Sequence, residues 1–254
     1  MKTPITYYGG KQCMINDILP LIPEHKIYNE PFFGGGAIFF AKKPAKIEFI
    51  NDISGEVVNF YKQVKTNFDA LHQFIDCTLH SEFQFNEAKE IYKNSTNKTE
   101  VERAWAVWML ANQSFLAILG NTWSIDKHKP KSKNIANKKA MFTKDYVARL
   151  ENTSIFCRDA LRVINNTDTA ETFHYIDPPY YNADMGHYGG YTKGNFEDLL
   201  KTLTKVKGKF LLSSYPSDIL SKYVKQMGWK QVFLHKNSSA RADRKKIEVL
   251  TSNY

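Results

Sequence analysis

The stretch Phe173–Met185, FHYIDPPYYNADM, decides how the chain is read. Phe173 to Ile176 is a short apolar run with strand character, and Asp177 follows it directly. Neither Pro178 nor Pro179 has an N–H to give to a sheet ladder, so the strand must stop there with an acid at its carboxyl tip. Open α/β sheets bind ligands outside the carboxyl ends of their strands. The Asp177 carboxylate and the Pro178 carbonyl offer two acceptors, which match the two N–H donors of an aromatic amino group. Tyr180 adds a face on which a flat base can stack. The plain alternative is a turn acid followed by two packing tyrosines.

Working outward, the C-terminal third reads as α/β. Strands are expected at 153–159, 173–177 and 209–215, and helices at 196–206 and 217–228, the second closed by Gly228. The runs 230–237 and 247–254 leave no room for a helix between them and should pair as a hairpin at the sheet edge. The N-terminal sixth is similar. A helix from about Lys11 ends before Pro23, and then KIYNEPFFGGGAIFFA (26–41) gives a strand, a glycine turn and a helix start. KIEFIND (46–52) is the next strand. Gly34, Gly35 and Gly36 let a backbone approach a ligand closely, or simply make a tight βα connection. No Gly-Lys-Ser/Thr follows, so this is not a phosphate loop. Asp52, about 20 residues on, stands where dinucleotide folds put an acid on ribose hydroxyls. It could instead cap the next helix, although Ser54 can do that equally.

The middle differs. Residues 57 to about 152 show helical patterns such as VERAWAVWMLANQSF, then a Lys/Asn/Ser-rich stretch, 126–139, that has no clear period and by itself reads as a flexible loop. This segment is read as an insertion between the second and third strands. Charge is concentrated there. The formal net charge is +9; residues 120–150 hold eight Lys/Arg against two Asp, and residues 236–246 hold five against one. Clustered positive charge is the footprint of a polyanion partner, or else of a solvated surface. No run of about 18 apolar residues predicts a membrane span, and the first residues lack the apolar core of a signal peptide. Cys13, Cys77 and Cys157 have no CxxC spacing, so neither a disulfide framework nor a metal site is expected, and buried free thiols in a reducing cytoplasm are the reading.

Asp177-Pro178-Pro179-Tyr180 is similar to the DPPY motif of amino-methyltransferases acting on adenine N6. Asn29 to Ala37, NEPFFGGGA, resembles their S-adenosylmethionine (SAM) glycine motif, and Tyr7 to Lys11, YYGGK, the segment before it in Dam-type DNA adenine methyltransferases. Cofactor motif, long insertion, then catalytic motif is that family's order. Asp177 lies 140 residues after Ala37, a gap that in the family holds the target-recognition domain.

The resemblance implies an α/β fold: a Rossmann-like SAM-dependent methyltransferase sheet with an antiparallel C-terminal edge hairpin and a mainly helical insertion. Residues 1–56 plus 153–254 would form the SAM-binding catalytic domain, and 57–152 the inserted DNA target-recognition domain. Tyr7, Lys11, Glu30, Phe33, Gly34, Gly35, Gly36, Asp52, Asp159 and Asp177 would hold SAM: Lys11 near its carboxylate, Phe33 and the glycines on the methionine side, Asp52 at the ribose, Asp159 by the adenine or the site floor. Asp177, Pro178 and Tyr180 would clamp a flipped-out adenine of double-stranded DNA and transfer the methyl group to its N6. Asn112, Lys127, Lys129, Lys131, Lys133, Lys138, Lys139, Arg241 and Arg244 would meet the DNA, the basic ones through phosphates, which position the protein without reading sequence. The segment 110–123 keeps Asn112, Gly120 and Asn121 but has no arginine, so no guanine-reading arginine is assigned. The expected location is the cytoplasm; a monomer is the default with oligomeric state left open, and a cognate restriction endonuclease is a candidate further partner. The rival readings are methylation of cytosine N4 or RNA adenine, a silent DNA-binding relative and, least, a nucleotide hydrolase.

Overall fold

The computed structural model describes residues 1–182, 190–237 and 245–254. Seven strands are seen among them: β1 Ile27–Glu30, β2 Ile47–Asn51, β3 Thr153–Phe156, β4 Thr172–Ile176, β5 Lys209–Ser214, β6 Lys230–Asn237 and β7 Lys245–Ser252. They run in the order β3-β2-β1-β4-β5-β7-β6. β1 pairs in parallel with both β2 and β4, and β4 with β5. β7 is antiparallel to β5 and to β6, with Lys230 opposite Ser252 and Asn237 opposite Lys245, so the expected edge hairpin forms with β7 two residues earlier in the chain. Strand order reverses between β1 and β4, and a crevice outside their carboxyl ends is where such sheets take ligands.

Side-chain alternation explains the character of the two faces. Ile176, Phe210, Leu212 and Val249 join one apolar cluster with Leu199, Leu200 and Leu203 of the helix Lys193–Leu203 and Leu220 and Tyr223 of the helix Asp218–Met227. Register puts Tyr175 opposite Leu211 and Ser213 opposite Leu250. With a period of two, Tyr175, Asp177, Ser213 and Glu248 therefore belong to the other face.

Eleven α-helices are present among the described residues: α1 Ile15–Ile18, α2 Ala37–Ala41, α3 Gly55–Thr66, α4 Phe68–Asp76, α5 Glu82–Lys93, α6 Glu100–Gln113, α7 Lys131–Ala140, α8 Asp145–Leu150, α9 Ala160–Thr167, α10 Lys193–Leu203 and α11 Asp218–Met227. Their starts follow from local chemistry. Ser54 caps α3 through the Val57 N–H, and reciprocal capping boxes, Thr99 with Glu102 and Thr192 with Asn195, start α6 and α10. Gly228, left-handed at φ 66°, closes α11 as expected.

Three expectations change. The N-terminal helix is broken into 3-10 turns at Lys11–Met14 and Leu19–Leu21 around the short α1; at the second, Pro20 removes a donor that a continuous helix needs. The basic stretch is no loop throughout: α7 follows Pro130, and because Ile135 is the one residue it buries, no apolar period betrays it. The three cysteines are free but exposed, not buried. Cys77 ends α4 and Cys157 follows β3, so both sit at element ends rather than on inward faces.

The chain divides into two compact units. Unit 1 comprises Met1–Leu19, Gly34–Pro44 and Asp52–Cys157; unit 2 comprises Pro20–Phe33, Ala45–Asn51 and Arg158–Tyr254. In unit 1, α6 is the central helix. Every residue from Ala104 to Ala111 is buried, and Trp108 is wholly so. No helix of the described residues is long and apolar enough to cross a membrane.

Candidate active site

In unit 2, Asp177 follows the last residue of β4, as the two prolines require, and is half-buried. The Tyr180 hydroxyl lies 3.2 Å from Asp177 Oδ1 and 3.0 Å from Ser213 Oγ, and it donates to Glu248 Oε1. Ser213 Oγ donates to the same Glu248 oxygen at 2.8 Å. Tyr215 meets the Tyr180 ring edge to face, with centroids 4.6 Å apart. Burial, then the charges of Asp177 and Glu248, push the Tyr180 phenol well above its ordinary value, so Tyr180 acts as a hydroxyl donor and not as a base. Tyr175, on the same face, is raised for the same reasons. At the tip of β1, Glu30 is buried and accepts the Tyr28 hydroxyl at 2.6 Å.

Asn51 ties this end of the sheet together. Its Nδ2 donates to the carbonyls of Pro31 (2.9 Å) and Arg158 (3.1 Å), while its Oδ1 accepts the Arg158 N–H. Phe33 is buried and its N–H binds the Asn51 carbonyl. Asp159 caps α9 through the Arg162 N–H and is exposed.

In unit 1, YYGGK folds as a tight turn, with the Gly10 N–H on the Tyr7 carbonyl, ahead of the 3-10 turn that starts at Lys11. The Lys11 ammonium is buried and donates to the Gly9 carbonyl at 2.9 Å. Gly34 is left-handed (φ 47°); its N–H donates to Asp52 Oδ2 at 2.8 Å and its carbonyl accepts the Tyr61 hydroxyl at 3.0 Å. A Cβ on Gly34 would stand 2.9 Å from Tyr7 Cδ1, so this glycine makes room for the Tyr7 ring. Asp52 Oδ1 accepts the Ser54 N–H, and Ser54, not Asp52, caps the helix. Burial raises the Asp52 carboxyl, and the two N–H bonds partly oppose it. Burial first, then Asp52 and Tyr92, raise the Tyr7 phenol.

A profile of the D12 class N6 adenine-specific DNA methyltransferases matches residues 7–235. The chain belongs to this family. It is thus a site-specific enzyme that methylates adenine N6 in DNA, and D12 methyltransferases in general take the methyl group from SAM. It is 26% identical to the type II methyltransferase M1.LlaDCHI of Lactococcus lactis subsp. cremoris over 97% of this chain and 93% of that protein. It is also 26% identical to the type II methyltransferase M.MjaIII of Methanocaldococcus jannaschii over 100% of this chain and 99% of that one. A DNA N-6-adenine-methyltransferase of Escherichia phage P1 is 32% identical over 42% of this chain and 14% of its own length.

The expected DNA contacts of this D12 enzyme divide into groups. Lys127, Lys129 and Lys133 are exposed and Lys131 is half-buried. Lys138 is partly covered, and burial, helped by the nearby Lys2 charge, lowers its ammonium. Lys139 donates to the Thr78 carbonyl at 3.1 Å. The Asn112 amide accepts the Thr6 N–H and hydroxyl and donates to the Trp108 carbonyl, so it anchors the N-terminal segment to α6. Arg241 and Arg244 lie outside the described residues. Sequence reasoning passed over Ser213, Glu248 and Asn51. Glu248 carried a signal: it is an acid between Ile247 and Val249 in a strand that reads as apolar.

Proposed function

We propose that Asp177 and the Pro178 carbonyl accept hydrogen bonds from the two N6 N–H groups of a flipped-out adenine while Tyr180 stacks on its ring. The observation that carries this is an acid at the tip of β4, beside the switch point with β1, with Tyr180 held next to it by its hydroxyl. Flipping a base costs a few kcal/mol, and an aromatic stack returns about 1–3 kcal/mol of it. Accepting both N–H bonds aligns the amino group and draws its nitrogen toward tetrahedral geometry, so the residues act by position and electrostatics.

The residues present fit SAM. The buried Lys11 ammonium suits its carboxylate, Asp52 suits the ribose hydroxyls, and Tyr7, Phe33 and the glycines at 34, 35 and 36 suit the methionine side. When bound, SAM supplies a methyl group activated on a sulfonium. Glu30 and Asp159 complete the proposed cofactor set. The helices of residues 57–152 carry target recognition, and Lys127, Lys129, Lys131 and Lys133 contact phosphates. The enzyme is read as a cytoplasmic monomer; a cognate restriction endonuclease as its partner is the reading that the type II names of its relatives support.

The test is methyl transfer from labelled SAM to unmethylated plasmid DNA, with the product nucleoside identified by mass. N6-methyldeoxyadenosine, lost in Asp177→Ala while SAM binding persists, is the expected result. Near-normal turnover by Asp177→Ala would overturn the clamp.

A further inference from the structure

We infer that Glu248 is a positioning residue for adenine methylation, acting through the Tyr180 hydroxyl. This rests on Tyr180 as the stacking face. Glu248 is buried in β7 between Ile247 and Val249, where an apolar side chain would avoid the cost of removing a carboxylate from water. What it gains is two hydroxyl donors on one oxygen, Tyr180 and Ser213. Register makes the pairing possible. Ser213 of β5 stands opposite Leu250, and Glu248 is two residues along the same face.

Two consequences follow. The Tyr180 ring is held at both ends, by the backbone after Pro179 and by its hydroxyl, with the Tyr215 edge against its side. Its plane is set before a base arrives, which removes an ordering cost at binding. The second concerns the proton. A phenol has one, and both Asp177 and Glu248 are within its reach. Glu248 draws that proton to itself and away from Asp177, whose task is to accept from the adenine amino group.

The experiment compares single-turnover methylation of DNA and SAM binding in wild type, Glu248→Gln, Glu248→Ala, Tyr180→Phe, Tyr180→Ala and the Glu248→Ala/Tyr180→Phe double variant. Glutamine keeps an acceptor oxygen in place, so Glu248→Gln should stay within about threefold of wild type, the cost of exchanging a charged for a neutral acceptor. Glu248→Ala should lose about tenfold, part of the roughly 5- to 150-fold that a base–aromatic stack is worth, with SAM affinity unchanged. The double variant should be no worse than Tyr180→Phe alone, because the hydroxyl through which Glu248 acts is already gone there. Multiplying losses, or a Glu248→Gln as slow as Glu248→Ala, would overturn the inference. So would full turnover by Glu248→Ala when Tyr180→Ala is impaired. Full turnover by Tyr180→Ala would instead overturn the stacking reading, and the inference with it.

Discussion

Replacing Gly34 with alanine puts a Cβ 2.9 Å from Tyr7 Cδ1 on a backbone at φ 47°. Two costs combine. An L-residue in the left-handed region loses about 1–2 kcal/mol. The steric cost is separate: ordinary contact begins at 3.4 Å, so the Tyr7 ring must retreat by about half an ångström, and overpacking of that kind costs about 1–3 kcal/mol. Gly228 separates the two, for it is left-handed at φ 66° with nothing within 4 Å of an added Cβ. Gly228→Ala should therefore lose about 1–2 kcal/mol and Gly34→Ala about 2–5 kcal/mol. In urea unfolding, with a slope of ~3 kcal/mol/M, the Gly34→Ala midpoint should fall roughly 0.3–1 M below that of Gly228→Ala. In a Tyr7→Ala background the excess should vanish, since the partner in the clash is gone. Equal midpoints for the two alanine variants, or an excess that survives Tyr7→Ala, would refute the account of why glycine stands at 34.

Two further outcomes follow from the geometry. Changing Lys127, Lys129 and Lys133 together to alanine should flatten the salt dependence of binding to non-target DNA by about 2.7 in the log–log slope, about 0.9 per phosphate contact; Lys139→Ala should do less, its ammonium being committed to Thr78. An unchanged slope in the triple variant would remove these lysines from the interface. His174 is fully buried, with Nδ1 2.9 Å from Asn29 Nδ2 and Nε2 3.2 Å from Asp168, so the neutral ring carries its proton on Nε2. Burial lowers its ionisation below the ordinary 6.5, against the pull of Asp168. Its contribution to stability is then present above 6.5 and lost as pH falls through the lowered folded value. Unfolding free energies of wild type and His174→Asn should converge as pH falls below 6.5; parallel curves would show that His174 does not carry the effect.

The sheet was legible because its signals are local. Apolar runs, the proline stop after Asp177, the Ser54 cap and the glycine after Met227 each act within a few residues. The resemblance then supplied the order of motifs. What stayed hidden has other causes. α7 buries a single side chain, so its pattern shows no period. Asp52 and Ser54 both suit a cap, and only the approach of Gly34, 18 residues away, sends Asp52 elsewhere. The Glu248 bond to Tyr180 spans 68 residues, and no local pattern specifies such a partner. Cys77 and Cys157 misled because small apolar residues at element ends look the same in sequence as those facing inward.

The parallel pairing of β1 with β4 joins Asn29 to His174 across 145 residues. During synthesis, β1 can find β2 almost at once, but its other edge waits until β4 has been made. At about 5–20 residues per second that wait lasts roughly 7 to 30 s. Over this time the nascent chain offers an unpaired edge of Ile-Tyr-Asn-Glu beside Ile-Glu-Phe-Ile-Asn, the kind of surface that captures foreign strands. The length of the helical insertion is therefore also a delay written into the birth of the enzyme, and variants that lengthen it should depend more heavily on chaperones for soluble yield.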